Sequence, residues 1–255
     1  MALSPLPTNA KYNALSYCWD QSNRHFLATK ANISELQAVR DIASVWDQLP
    51  GAIQDAIDCV PELGHEFLWV DALCIIQDDD DDKAEQIKQM DRVYDSALPT
   101  IISAYGSIKK ESTPNSMSCD GLPGYRPYSI DRHRCQSTAL TSHWATRAWT
   151  FQEQLLSKRR LFFTNTQLYF QCSCGVFCED VIGWAYIQPH SSLYNERSLY
   201  HDHTLPYDRN ADLLPRNRFS GREEAFQYYG QVIDAYTRRN MTDQGDALAA
   251  LEGIL

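Results

Sequence analysis

Apolar positions recur along this chain in two rhythms, and the switches between them mark out strands and helices. Ala14-Leu-Ser-Tyr-Cys-Trp19 is a compact apolar and aromatic run, read as a strand entering a loop at Asp20. Asn32 or Ser34 then offers a helix cap, with Leu36, Val39, Ala43 and Trp46 following at helical spacing. Pro50 suits the first turn of a second helix, where a missing N–H costs nothing. Ile53, Ile57 and Val60 form its apolar stripe, and Pro61 and Gly64 end it. Phe67 to Ile76 is apolar on both faces except at Asp71, the pattern of a central strand covered by helices on both sides. An acidic loop, Asp78 to Asp82, leads into an amphipathic helix marked by Ile87, Met90, Tyr94 and Ala97. Its charge meets the positive end of the helix macrodipole. Pro99 stops that helix, and Thr100 to Tyr105 reads as the next strand. Strand, helix and strand in this length make a βαβ unit. The predicted fold is therefore α/β, a mainly parallel sheet flanked by helices.

Residues 107–142 show no clear period and read as a long surface excursion. A helix is predicted over His143 to Leu156, then two strands, Leu161 to Thr164 and Gln167 to Cys172, around an Asn165-Thr166 turn. Residues 178–219 are again irregular. A helix from about Arg222 to Arg239 follows, with Phe226, Tyr229, Ile233 and Tyr236 as its stripe, and another begins at Asp246. The expected organisation is a single domain over 1–255. Its core covers about 12–175, its helical C-terminal part 222–255, and it forms the N-terminal part of a longer protein.

Composition changes the picture in what it excludes. The formal net charge is −10 and the pI about 5.1, which argues against a phosphate-tracking nucleic-acid binder. No stretch approaches the ~18–20 apolar residues of a membrane span, and the first residues lack the basic and apolar regions of a secretory signal. Of the eight cysteines, Cys18, Cys59 and Cys74 sit in apolar segments, as free thiols do in a reducing compartment. A cytoplasmic location is the expectation.

Four places carry candidate chemistry. Asp71 is a carboxylate near a strand end, where open α/β sheets bind ligands, although such an Asp also caps loops or pairs with Arg. Asp78 to Asp82 lacks the central Gly and the spaced Glu of a calcium loop, so a solvated helix cap is expected. Cys172-Ser-Cys-Gly-Val-Phe-Cys178, with His190, His201 and His203, matches zinc spacing weakly, and free thiols are the default reading. No metal site is expected. On the helix after the first excursion, Trp149, Gln152 and Glu153 share a face, since positions i, i+3 and i+4 are neighbours. An indole there can raise the carboxylate's pKa by desolvation, and Arg147 reaches an anion from the helix start. The structural alternative is a core Trp with Glu153 in an ion pair.

Several segments together resemble a known family. Tyr12-Asn-Ala-Leu-Ser-Tyr-Cys-Trp19, Leu68-Trp-Val-Asp-Ala-Leu-Cys-Ile75 with Gln77, and Met90-Asp-Arg-Val-Tyr-Asp-Ser-Ala97 come first. Arg147-Ala-Trp-Thr-Phe-Gln-Glu153, Leu156-Ser-Lys-Arg159, and Tyr236-Thr-Arg-Arg-Asn-Met-Thr242 with Asp246-Ala-Leu follow in order. This set is similar to the heterokaryon incompatibility (HET) domain of filamentous fungi. Asp20 replaces the family's usual Gly, and Ile76 its usual Asn. The resemblance implies a cytosolic effector of nonself recognition whose activation leads to cell death, acting with upstream recognition partners or domains.

A weaker resemblance is to TIR domains, in the order of strands and in a helix carrying Trp and then Glu four residues on. It implies a TIR-like, flavodoxin-like core in which Glu153 is the catalytic residue of an NAD glycohydrolase. Tyr17, Trp19, Asp71, Arg147, Trp149 and Gln152 would bind the nucleotide. NAD is then the substrate, with no tightly bound cofactor, and activation goes through a homo-oligomer. A non-catalytic module that signals cell death by homotypic assembly is the alternative. A metal-dependent hydrolase or nuclease using Asp71 and the acidic loop is the third class.

Overall fold

Leu15, Ile101 and Leu161 face the same way from three adjacent strands, and Ala14, Ile102 and Phe162 face the other way. That alternation is the two-residue period of a sheet with both faces covered. A computed structural model describes residues 2–19, 26–38, 41–104, 139, 142–164, 168–172, 175–178, 221–241 and 244–252. Six strands are present: β1 (Tyr12–Ser16), β2 (Phe67–Trp69), β3 (Thr100–Ser103), β4 (Arg159–Phe163), β5 (Leu168–Cys172) and β6 (Gly175–Cys178). Their order is β2-β1-β3-β4-β5-β6. The first four run parallel, and β5 and β6 return antiparallel. The α/β fold with a mainly parallel sheet is thus as the sequence implied. The two excursions lie outside the described residues apart from 139, 142 and 178, as does the Asn165-Thr166 turn.

Helices α1 (Ile33–Gln37) and α2 (Gly51–Glu62) bury Leu36, Ile53, Ile57 and Val60 against Leu15, Ile101 and Leu161. Helix α4 (Asp80–Ser96) covers the opposite face, with Met90 and Tyr94 packed on Ala14. Helix α5 (Ala148–Leu156) runs beside α4 on that face, contributing Trp149 and Leu156 to the same cluster. Helix α6 (Arg222–Thr237) and the short α7 (Ala249–Glu252) pack on α5 through Phe151, Leu155, Val232, Tyr236 and Leu251.

Three expectations are corrected in detail. Phe67 to Ile76 is not a central strand. β2 stops at Trp69 at one end of the strand order, and Asp71–Cys74 forms a one-turn helix, α3. Asp71 starts that turn itself, its Oδ1 accepting from the Ala72 amide at 2.7 Å. The apolar pattern survives because Ala72, Leu73 and Ile75 are buried as helix and loop instead. The first predicted helix breaks into α1 and two 3₁₀ turns, in a stretch where β-branched Val39, Ile42 and Val45 weaken helix propensity. On α6 the buried row is Tyr228, Val232, Ala235 and Tyr236, while Phe226 and Ile233 are exposed. Both rows have helical spacing, so periodicity alone did not choose between them.

Candidate functional site

In this parallel sheet the strand order reverses at β1, with α1 and α2 on one face and α4 and α5 on the other, and open α/β sheets bind ligands beyond the carboxyl ends of the strands at such a point. Ser16, Tyr17, Cys18 and Trp19 follow in sequence at that end of β1, and Asp71 lies just past the end of β2. Trp19 and Asp71 are joined directly, the indole Nε1 donating to Asp71 Oδ2 at 2.8 Å. Gln77 Nε2 donates to the Asp71 carbonyl at 3.0 Å, so the motif's glutamine holds the turn on which Asp71 sits. The acidic run behind it is a clasp and a cap. Asp79 accepts from the Asp81 and Asp82 amides, Asp82 from the Ile76 amide, and Asp78 from the Lys30 amide. Ile76, standing where the family has Asn, contributes this backbone contact. Asp20 lies outside the described residues.

Glu153 comes to the same place from the other side. It is 6% exposed on α5 and hydrogen-bonds to Ser16 and Tyr94. Ser16 is fixed from behind, its Oγ accepting from the Trp144 indole at 2.7 Å, which leaves the hydroxyl hydrogen for the carboxyl group. Trp144 is fully buried edge-on to Phe162, which stacks on Tyr169. Tyr94 also donates to the Leu15 carbonyl at 3.2 Å. Burial pushes Glu153 up to about 8. The Ser16 and Tyr94 hydrogen bonds and the Arg147 guanidinium pull it down, and the Asp71 charge pushes it further up. Tyr17 is pushed above the ordinary tyrosine range by burial first, then by the charges of Asp71 and Glu153. Both carboxylates therefore act on one hydroxyl. Cys18 is pushed up to about 11 by burial, with Arg147 and Glu153 acting in opposite senses.

Two polar atoms in this group are unanswered. Among the described residues, the Tyr17 hydroxyl and Gln152 Oε1 are buried without a hydrogen-bond partner. Buried polar atoms are nearly always paired, so such atoms mark a place where a ligand or water fits.

Of the residues named from sequence, the structure brings Tyr17, Trp19, Asp71, Arg147 and Glu153 into one electrostatic group. Gln152 adjoins it in sequence and is 2% exposed. Trp149 is half-buried between two apolar clusters, one with Met90 and Tyr94 and one with α6. Sequence reasoning passed over Ser16, Tyr94 and Trp144. Ser16 had a signal, a lone hydroxyl ending an apolar strand. Tyr94 looked like one more member of a helical stripe. Among the described residues, no group of three or more His, Cys, Asp or Glu side chains is placed to hold a metal ion. No described helix is long and apolar enough to cross a membrane.

A family model described as Heterokaryon incompatibility protein (HET) matches residues 12–153, from the first residue of β1 to Glu153. Heterokaryon incompatibility protein 6, OR allele, of Neurospora crassa is 26% identical over 106 residues. That match covers 39% of this chain and 15% of the relative's own length. No solved structure matches significantly. With more than half of its length matched by the family model, the chain belongs to the heterokaryon incompatibility family.

Proposed function

We propose that this chain is an effector domain of fungal nonself recognition and cell death, and that it acts by cleaving the nicotinamide–ribose bond of NAD. The carrying observation is Glu153, buried at the crevice end of the sheet, hydrogen-bonded to Ser16 and Tyr94 and under the influence of the Arg147 charge. The TIR-like order of parts supports the same reading as an analogy. In the reaction the C–N glycosidic bond breaks and its electron pair goes to the pyridinium nitrogen, so nicotinamide leaves neutral. The ribose becomes oxocarbenium-like, which an ionised carboxylate stabilises. Water then adds at that carbon and loses a proton, giving ADP-ribose.

The chain's own groups divide the work. Glu153 steadies the ribose, Arg147 meets the pyrophosphate, and Trp19, held by Asp71, stacks on a ring. The Tyr17 hydroxyl and Gln152 Oε1 have hydrogen-bonding capacity to spare for the ligand. The test is purified protein with NAD, at high concentration and artificially clustered, followed by chromatography. Glu153→Gln is expected to lower cleavage on the order of 100-fold or more. Wild-type protein that leaves NAD intact even when clustered overturns the enzymatic reading.

One observation favours a second reading, death signalled by homotypic assembly without chemistry. Phe226 and Leu248 are 82% and 80% exposed, and Ile233 lies on the same row of α6 as Phe226. In that case Glu153→Gln still kills cells expressing the protein, and Phe226→Asp does not. The enzymatic reading expects the first variant to spare them.

A further inference from the structure

The first amides of a helix have no partner within it. At the start of α5 they find one far along the chain. The Ala148 N–H donates to the Asn240 carbonyl at 2.9 Å, and the Asn240 N–H donates to the Thr146 carbonyl at 2.6 Å. Together they form a parallel bridge across Arg147. Arg239 adds a side-chain grip. Its Nη1 lies 3.4 Å from both the Arg147 carbonyl and Thr150 Oγ1, and its Nη2 donates to Gln154 Oε1 at 3.1 Å. Its guanidinium carbon sits 4.7 Å from the centre of the Phe151 ring.

Arg147 is thus held on both flanks, in the extended conformation (φ −88°, ψ 142°) that separates the 3₁₀ turn Trp144–Thr146 from α5. The direction of its side chain follows from that break, because one more helical residue would carry it around the axis. Apolar packing of Tyr236 on Phe151 would suffice to dock α6. Four contacts from a side chain as costly to immobilise as arginine do more than dock a helix. Arg239 and Asn240 lie well beyond the family-matched residues, which end at Glu153.

We propose that Arg239 and Asn240 are positioning residues: by fixing the backbone of Arg147 at the start of α5, they aim its guanidinium at Glu153, and the site is complete only when the segment after α6 is docked. This rests on Arg147 and Glu153 forming the site described above, but not on the cleavage of NAD.

The test is a titration of the Glu153 carboxyl in the full chain by ¹³C NMR with carboxyl-labelled glutamate, the resonance being assigned by its loss in Glu153→Gln. The groups facing Glu153 are Ser16, Tyr94, Tyr17, Cys18, Asp71 and Arg147. Arg147→Gln is expected to raise the midpoint, because it removes a stabilising charge. Arg239→Gln is expected to raise it too, and the double variant to raise it no further than Arg147→Gln alone. Arg239→Lys keeps the charge but not the two-pronged grip, and is expected to shift the midpoint as Arg239→Gln does.

An unchanged midpoint in folded Arg239→Gln overturns the proposal. So does an additive double variant or full rescue by lysine, since either means that Arg239 acts through its own field. Should Arg239→Gln not fold, Gln154→Met frees one prong without altering a charge. An upward midpoint then supports positioning, and an unchanged one overturns it. The titration is readable whether or not the protein cleaves NAD, so the two readings fail separately.

Discussion

A carboxyl group buried as deeply as Glu153 must shed its charge or find compensation nearby, and Glu153 does some of each. In the unfolded chain its ordinary value is 4.5, and in the folded protein it is pushed up to about 8. Between those values the native state keeps a proton that the unfolded chain has lost. The stability this group contributes is therefore complete below about 4.5 and is lost as pH rises through about 8. The loss is roughly a few kcal/mol. Thermal melts across that window should show wild-type Tm falling as pH rises. Glu153→Gln, neutral throughout, should flatten the curve and melt higher than wild type at pH 8 to 9. The proposed glycosidic cleavage would need the ionised form, so under that proposal kcat/KM for NAD should rise with pH toward the same midpoint. A rate that falls over that range would count against Glu153 as the stabilising carboxylate.

Among the elements, the joints are the most informative. α2 ends in paired turns: Gly64 N–H donates to the Pro61 carbonyl and His65 N–H to the Val60 carbonyl, with Gly64 at φ 73°. A Cβ there meets nothing within 4 Å, so only the backbone conformation opposes a side chain. Gly64→Ala should destabilise the protein by about 1 kcal/mol, measured in urea melts, through left-handed strain alone. Gly64 made this joint legible in the sequence, whereas Pro61, also read as ending the helix, lies inside its last turn.

The cap at the acidic run was legible too, where Asp79 accepts from two amides and Lys30 draws its carboxyl below the usual range. The joint at Asp71 was not. Phe67 to Ile76 is uniformly apolar, and burial rewards such a run equally as strand or as strand and short helix. The turn is held by polar contacts that the run does not announce: the Ala72 amide and the Trp19 indole on the Asp71 carboxylate, and Gln77 on its carbonyl. The break at Arg147 was equally hidden, because its cause lies 93 positions away at Asn240.

For the whole molecule, a mainly parallel sheet followed from alternating strand and helix patterns, but the strand order did not, since the run read as a central strand lies at one end of it. The partners of each site residue did not follow. Glu153 meets Ser16 and Tyr94 through packing between elements, and nothing local to any of the three announces it. Trp149 shares a helical face with Glu153 yet spends that face on Met90, Tyr94 and α6. The group around Glu153 is therefore assembled from β1, α4 and α5, with the turn after β2 alongside, while the segment after α6 meets the start of α5, at Thr146, Arg147 and Ala148.

That last contact has a use in time as well as in space. The Ala148 amide leads its helix and would exchange with solvent freely in most proteins. Here the Asn240 carbonyl covers it. Its deuterium uptake should be slow in the intact protein and speed up whenever the C-terminal segment lifts away, while the amides of β1, paired on both sides, stay protected. One backbone hydrogen thus serves as a clock for any undocking of that segment.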